Sequence, residues 1–160
     1  TKANKADHLK NERPFKTPAM IDRLYEASEH GVQIDLIVRG ICCLIPGQSY
    51  SRNIRVTRIV DSFLEHARIW YFGNDGTPKV FMGSPDWMRR NLYRRIEAIT
   101  PVLAPDLRDN LIEMLDIQLA DNQKACWVDD KLQNIIQKKE HPGTPCRPSP
   151  IHLLRLAKQN

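Results

Sequence analysis

Residues 34–40 read IDLIVRG, and the class of fold turns on this run. Ile34 to Val38 is almost continuously apolar and rich in β-branched side chains. A helix of that length would be too short to stand, and a half-exposed strand would alternate. The run is therefore read as a strand covered on both faces, as in a parallel or mixed α/β sheet. Upstream the pattern is helical. Met20, Ile21, Leu24, Tyr25 and Ala27 or Ser28 share one face, with Thr17 as N-cap ahead of Pro18 and Gly31 ending the helix. Downstream, ICCLIPGQSYSRN is a loop at its Pro-Gly end, and Ile54 to Thr57 forms a short strand. Ile59, Val60, Phe63 and Leu64 read as a short amphipathic helix.

Residues 67–72 and 79–83 are two strands joined by GNDGTP, a hairpin signal. DWMRRNLY fits either element, RRIEAITPV reads as a strand, and Asp106 to Leu119 is the clearest helix. In that helix Leu107, Leu111, Met114, Leu115 and Gln118 or Leu119 recur at helical spacing. Lys124 to Val128 is a last strand. The order of elements predicts an α/β layered domain whose mixed sheet is flanked by helices. Residues 1–16 are polar and basic without periodicity and are expected to be a poorly ordered arm. The folded domain then spans 17–140. Residues 141–160 hold a linker, HPGTPCRPSP, and a short terminal helix, IHLLRLAKQN.

The 160 residues are 41% hydrophobic, enough for one domain with a real core. Twenty-four Lys and Arg against 19 Asp and Glu give +5. The excess favours a polyanionic partner (nucleic acid, phosphate polymer, nucleotide or acidic lipid), unless it is only a soluble basic surface. Cys42, Cys43, Cys126 and Cys146 show neither a CxxC spacing nor a disulfide framework, so reduced thiols are expected. Cys42 and Cys43 sit in an apolar run, where free cysteine behaves as a small buried hydrophobe. No signal peptide is visible, and no apolar stretch approaches the roughly 20 residues that cross a bilayer. The chain does not begin with methionine and is read as a piece of something longer.

Three places carry the chemistry. Arg39 ends the IDLIV strand, where open α/β sheets bind ligands. There it either grips a phosphate through two parallel hydrogen bonds or simply caps a strand end. His66 and Arg68 in FLEHARI lie two apart, so on a strand they share one face. The imidazole can hold a phosphate or move a proton near neutrality, or be a satisfied structural group. In GSPDWMRRN, residues 83–91, Gly83 and Ser84 allow close backbone approach to a ligand, and Asn91 offers an amide hydrogen. Arg89, Arg90, Arg94 and Arg95 crowd the same stretch, either as a solvated face or as a shaped surface.

Taken together, IDLIVRGICCL, SRNIRVTRIVDSFLEHARIWYF and KVFMGSPDWMRRNLYRRIEAITPV closely resemble the last domain of the long bacterial polyphosphate kinases. That family ends in two phospholipase-D-like domains, and the resemblance runs from about Met20 to about Val128. It implies reversible transfer of the ATP γ-phosphoryl group to polyphosphate through a phosphohistidine on the preceding domain, which nothing in this chain matches. By the same resemblance Arg39 is the arginine that contacts nucleotide phosphates, and His66 is the second essential histidine. Arg68, Ser84 and Asn91 take the places of the HxK lysine and the downstream Ser and Asn, and so join the phosphate contacts.

The resemblance further implies Mg²⁺ and ATP or ADP in the full-length enzyme, with none held by this fragment alone and no metal ligands in it. The implied partners are polyphosphate, the preceding domains and a second copy of the enzyme, with no nucleic acid. The location implied is the cytoplasm or the periphery of the inner membrane. One departure touches the site: the family usually shows SADWM where this chain has Ser84-Pro85-Asp86-Trp87-Met88, and proline removes a backbone donor. Two other classes remain: a phospholipase-D-like phosphodiesterase that pairs two HxR motifs across a homodimer, and a non-enzymatic polyanion-binding module.

Overall fold

In the computed structural model the described residues are 7–11, for the main chain alone, 16–60 and 66–136. The expected helix at 151–160 and most of the one expected around 59–64 lie outside them, as does Cys146. Eight strands make one sheet: β1 (Asp7–Asn11), β2 (Ile34–Val38), β3 (Ile54–Ile59), β4 (Arg68–Phe72), β5 (Lys79–Gly83), β6 (Ile99–Pro101), β7 (Ala125–Val128) and β8 (Asn134–Ile136). Their order is β6-β5-β4-β1-β2-β3-β7-β8. β1, β2 and β3 run parallel, and the remaining pairs are antiparallel, so the sheet is mixed. Among the described residues three α-helices accompany the sheet: α1 (Pro18–Glu29), α2 (Arg89–Arg94) and α3 (Pro105–Leu119).

β2 explains why both faces are covered. Strand side chains alternate, and here all five positions are buried. Ile34, Leu36 and Val38 join a core with Val56, Trp70 and Trp87, onto which Met20, Ile21, Leu24 and Tyr25 of α1 pack. Ile37 points the other way, into a core with Ile69, Tyr71 and Val80 that receives Leu111, Ile112, Met114 and Leu115 of α3. Helix, sheet and helix form three layers. Each fully buried aliphatic side chain contributes about 1.5–3 kcal/mol, so neither face can be uncovered without losing the fold.

Thr17 occupies the N-cap of α1, but its hydroxyl does not cap the helix. It donates to the Trp87 carbonyl oxygen at 2.8 Å, and so ties the start of α1 to the loop after β5. Gly31 ends the helix with φ +88°, a conformation that side chains other than glycine rarely adopt. The 73–77 turn keeps Asn74, Asp75 and Gly76 at positive φ and closes the β4–β5 hairpin as its sequence predicts.

Several expectations need correction. Residues 7–11, read as part of a loose arm, form a strand near the centre of the sheet, between β2 and β4. DHLKN has no apolar alternation to announce it; pairing along both its edges holds it. Ile59 extends β3 rather than opening a helix. Of RRIEAITPV only Ile99–Pro101 is strand, at the sheet edge, with Ala98 and Val102 adding main-chain bonds to Ser84 and Val80, and DWMRRNLY resolves into a loop followed by α2. Leu107 is 56% exposed, because the first turn of α3 follows the edge strand β6, where the sheet ends. β8 was not anticipated.

Cys42 is buried, whereas Cys43 is exposed. The segment after Gly40 is extended, so Cys42 and Leu44 turn inward while Ile41 and Cys43 turn out. Burial pushes the Cys42 thiol up to about 11. Among the described residues no helix is long and apolar enough to cross a membrane.

Candidate functional site

Sheet register brings the candidates together. Val38, the last residue of β2, faces Asn11 of β1, which in turn faces Arg68, the first residue of β4. Gly83 closes β5 one residue beyond Met82, which faces Ile69. Arg39 after β2, His66 before β4 and Ser84 after β5 therefore emerge from one edge of the sheet. Neighbouring strands lie about 4.8 Å apart, so this edge gathers its groups within roughly 15 Å.

Arg39 is half-buried, and its Nη1 is shielded from solvent with no hydrogen-bond partner. An unsatisfied buried guanidinium nitrogen costs about 1–3 kcal/mol or more, and an incoming oxyanion would relieve that cost. Arg58, on the neighbouring strand, has a similarly unpartnered Nε, while its Nη1 donates to Asn134 Oδ1 at 2.6 Å.

The His66 side chain is exposed, and its carbonyl oxygen accepts a hydrogen bond from Arg68 Nη1 at 2.6 Å. Arg68 also donates to Asp86 Oδ1 through Nε at 3.0 Å and Nη2 at 2.7 Å. The two side chains are only 14% and 3% exposed. Removing one partner of such a buried pair costs about 3–5 kcal/mol.

Ser84 and Asn91 meet at a residue the sequence reading passed over. The Ser84 hydroxyl donates to Glu97 Oε2, and Asn91 Nδ2 donates to Glu97 Oε1 at 2.8 Å. These two bonds, with Arg95 and Arg68 nearby, hold the Glu97 carboxyl below the usual glutamate range. Gly83 serves the protein's own backbone: a Cβ there would stand 2.5 Å from the Ala98 carbonyl oxygen. The Ser84 amide is likewise used, donating to Ala98 O at 3.0 Å. Pro85 is fully buried. Arg89, Arg90, Arg94 and Arg95 are exposed.

The structure thus brings Arg39, His66, Arg68, Ser84 and Asn91 to one region. It adds Asp86 and Glu97, which sequence reasoning missed as partners. Asp86 lay inside the DWM run, and its charge beside buried tryptophan was the available signal. Glu97 had none, because one of its partners lies within α2 and the other on the far side of it. Among the described residues no cluster of three or more His, Cys, Asp or Glu side chains could hold a metal ion.

A mixed sheet between helices, with an HxR pair at one edge, defines a phospholipase-D-like α/β domain. The crystal structure of a phospholipase D family member from Salmonella typhimurium shares this fold, with a TM-score of 0.53 at 17% identity over 72% of this chain and 78% of that one. The family model described as polyphosphate kinase C-terminal domain 2 matches residues 11–147, and the chain belongs to that family. The crystal structure of polyphosphate kinase from Porphyromonas gingivalis superposes with a TM-score of 0.89 at 49% identity, covering 96% of this chain and 23% of that one. The polyphosphate kinase of Prochlorococcus marinus is 44% identical over 143 residues, 89% of this chain and 20% of the relative. The chain spans about a fifth of the length of the curated relatives it matches.

Proposed function

We propose that this chain is the C-terminal phospholipase-D-like portion of a polyphosphate kinase, supplying one wall of a site that moves a phosphoryl group between ATP and polyphosphate. The single observation that carries the reading is the buried, unpartnered Nη1 of Arg39 at the same sheet edge as His66. Phosphoryl transfer depends chiefly on fixed cations and donors around the migrating group. Arg39 would hold nucleotide or polyphosphate oxygens, and His66 would face the transferred group, either as a cation or as a proton carrier. Mg²⁺, bound with the nucleotide, would neutralise phosphate charge. The nucleophile belongs to the preceding domain in this reading, and the working enzyme is a homo-oligomer in the cytoplasm or at the periphery of the inner membrane.

Incubated with ATP, Mg²⁺ and polyphosphate, the 160-residue chain should produce no chain growth; robust synthesis would refute the half-site. In the longer enzyme carrying this domain, Arg39→Ala and His66→Ala should each lower the rate about 100-fold or more, as loss of one preorganised donor does. Near-normal rates with an intact fold would reject the assigned roles.

A further inference from the structure

We propose that Arg68 is a positioning residue rather than a phosphate ligand: gripped by Asp86, it fixes the His66 carbonyl and so sets where the His66 imidazole stands. This rests on the reading of His66 given above. Each of the three guanidinium nitrogens has a protein partner, Nε and Nη2 on Asp86 Oδ1 and Nη1 on the His66 carbonyl oxygen. The pair is shielded from water, so the guanidinium is held in one plane against Asp86 and the His66 carbonyl. The grip also explains the residue type. Lysine offers one nitrogen on a flexible stem and cannot hold a carboxylate and a carbonyl in a planar fork; arginine can.

Asp86 is fixed in its turn. The Met88 amide donates to its carbonyl oxygen at 2.7 Å, and the next residue, Trp87, accepts the Thr17 hydroxyl at 2.8 Å and the Lys16 amide at 3.3 Å. Placement therefore runs from the start of α1, through the loop at 84–88, to Asp86, Arg68 and His66. His66 is exposed, and this main-chain anchor fixes the point from which its side chain extends. A misplacement of about 1 Å in such a group can cost about 100-fold in rate.

The test is a double-mutant cycle in the full-length polyphosphate kinase that carries this domain, assayed with ATP, Mg²⁺ and polyphosphate, beside NMR of His66 in the 160-residue chain. Arg68→Lys and Asp86→Asn should each lower kcat about 10–100-fold with little change in KM for polyphosphate. In a His66→Ala background the same substitutions should change the rate less than about twofold, because their effect passes through the histidine. The His66 ring resonances should shift in both variants while unfolding stays cooperative.

A raised KM at unchanged kcat, or a loss undiminished by His66→Ala, would overturn the proposal and make Arg68 a phosphate contact or a mere brace. Should either variant fail to fold, Asp86→Glu, which keeps the charge and displaces the grip by one methylene, is judged by the same outcomes. If His66→Ala leaves activity intact, the functional reading fails on its own. The positioning claim then stands or falls on the NMR, where unmoved His66 resonances would overturn it.

Discussion

Glu97 shows how a site can be half legible at the scale of single residues. Ser84 and Asn91 were recognisable as candidate site residues from GSPDWMRRN, but their acceptor lies 13 and 6 residues further on, beyond the end of α2. The Ser84 bond is the largest influence on the Glu97 carboxyl and the Asn91 bond the next, and both favour the charged form. A lowered folded pKa means that Glu97's contribution to stability is complete above the unfolded value of about 4.3 and is lost as pH falls through the folded one. The Glu97 side-chain carbon resonance should titrate below the ordinary glutamate midpoint in the wild-type chain and move back towards it in Ser84→Ala. Identical titrations would remove the hydroxyl as cause. The candidate phosphate-binding types, arginine, histidine and serine, could be named from sequence; which of them are already engaged by carboxylates could not.

Among elements, those that carry their own periodicity were legible. β2, α1, the β4–β5 hairpin and the body of α3 all declare themselves, because apolar spacing or turn residues select them. β8 does not, since a three-residue edge strand is stabilised by its neighbour rather than by its own pattern. The helical reading of Ile59 has the same origin: it satisfies a helical spacing by coincidence where β3 ends. Gly83 offers an element-scale test. Its missing Cβ lets the backbone at Ala98 approach β5, and that backbone cannot swing aside as a side chain could. Gly83→Ala should destabilise the fold by about 1–3 kcal/mol, through parting of β5 and β6. A lowered denaturation midpoint would register it, and an unchanged midpoint would contradict the close approach.

For the molecule as a whole, β1 joins two half-sheets, β4-β5-β6 and β2-β3-β7-β8. Deleting residues 1–11 would bare edges of β2 and β4 in the middle of the structure, a template for aggregation. The shortened chain is expected to lose cooperative unfolding in circular dichroism or to associate; a well-behaved monomer would show β1 to be dispensable. β1 also acts as a ruler. Arg39 follows one of its neighbours and His66 precedes the other, so their span is set by two strand spacings, about 10 Å. That length is written in main-chain hydrogen bonds, which side-chain identity barely affects. Substitution can retune the chemistry at either end, but the gap itself changes only by the insertion or loss of a strand, in quanta of about 4.8 Å.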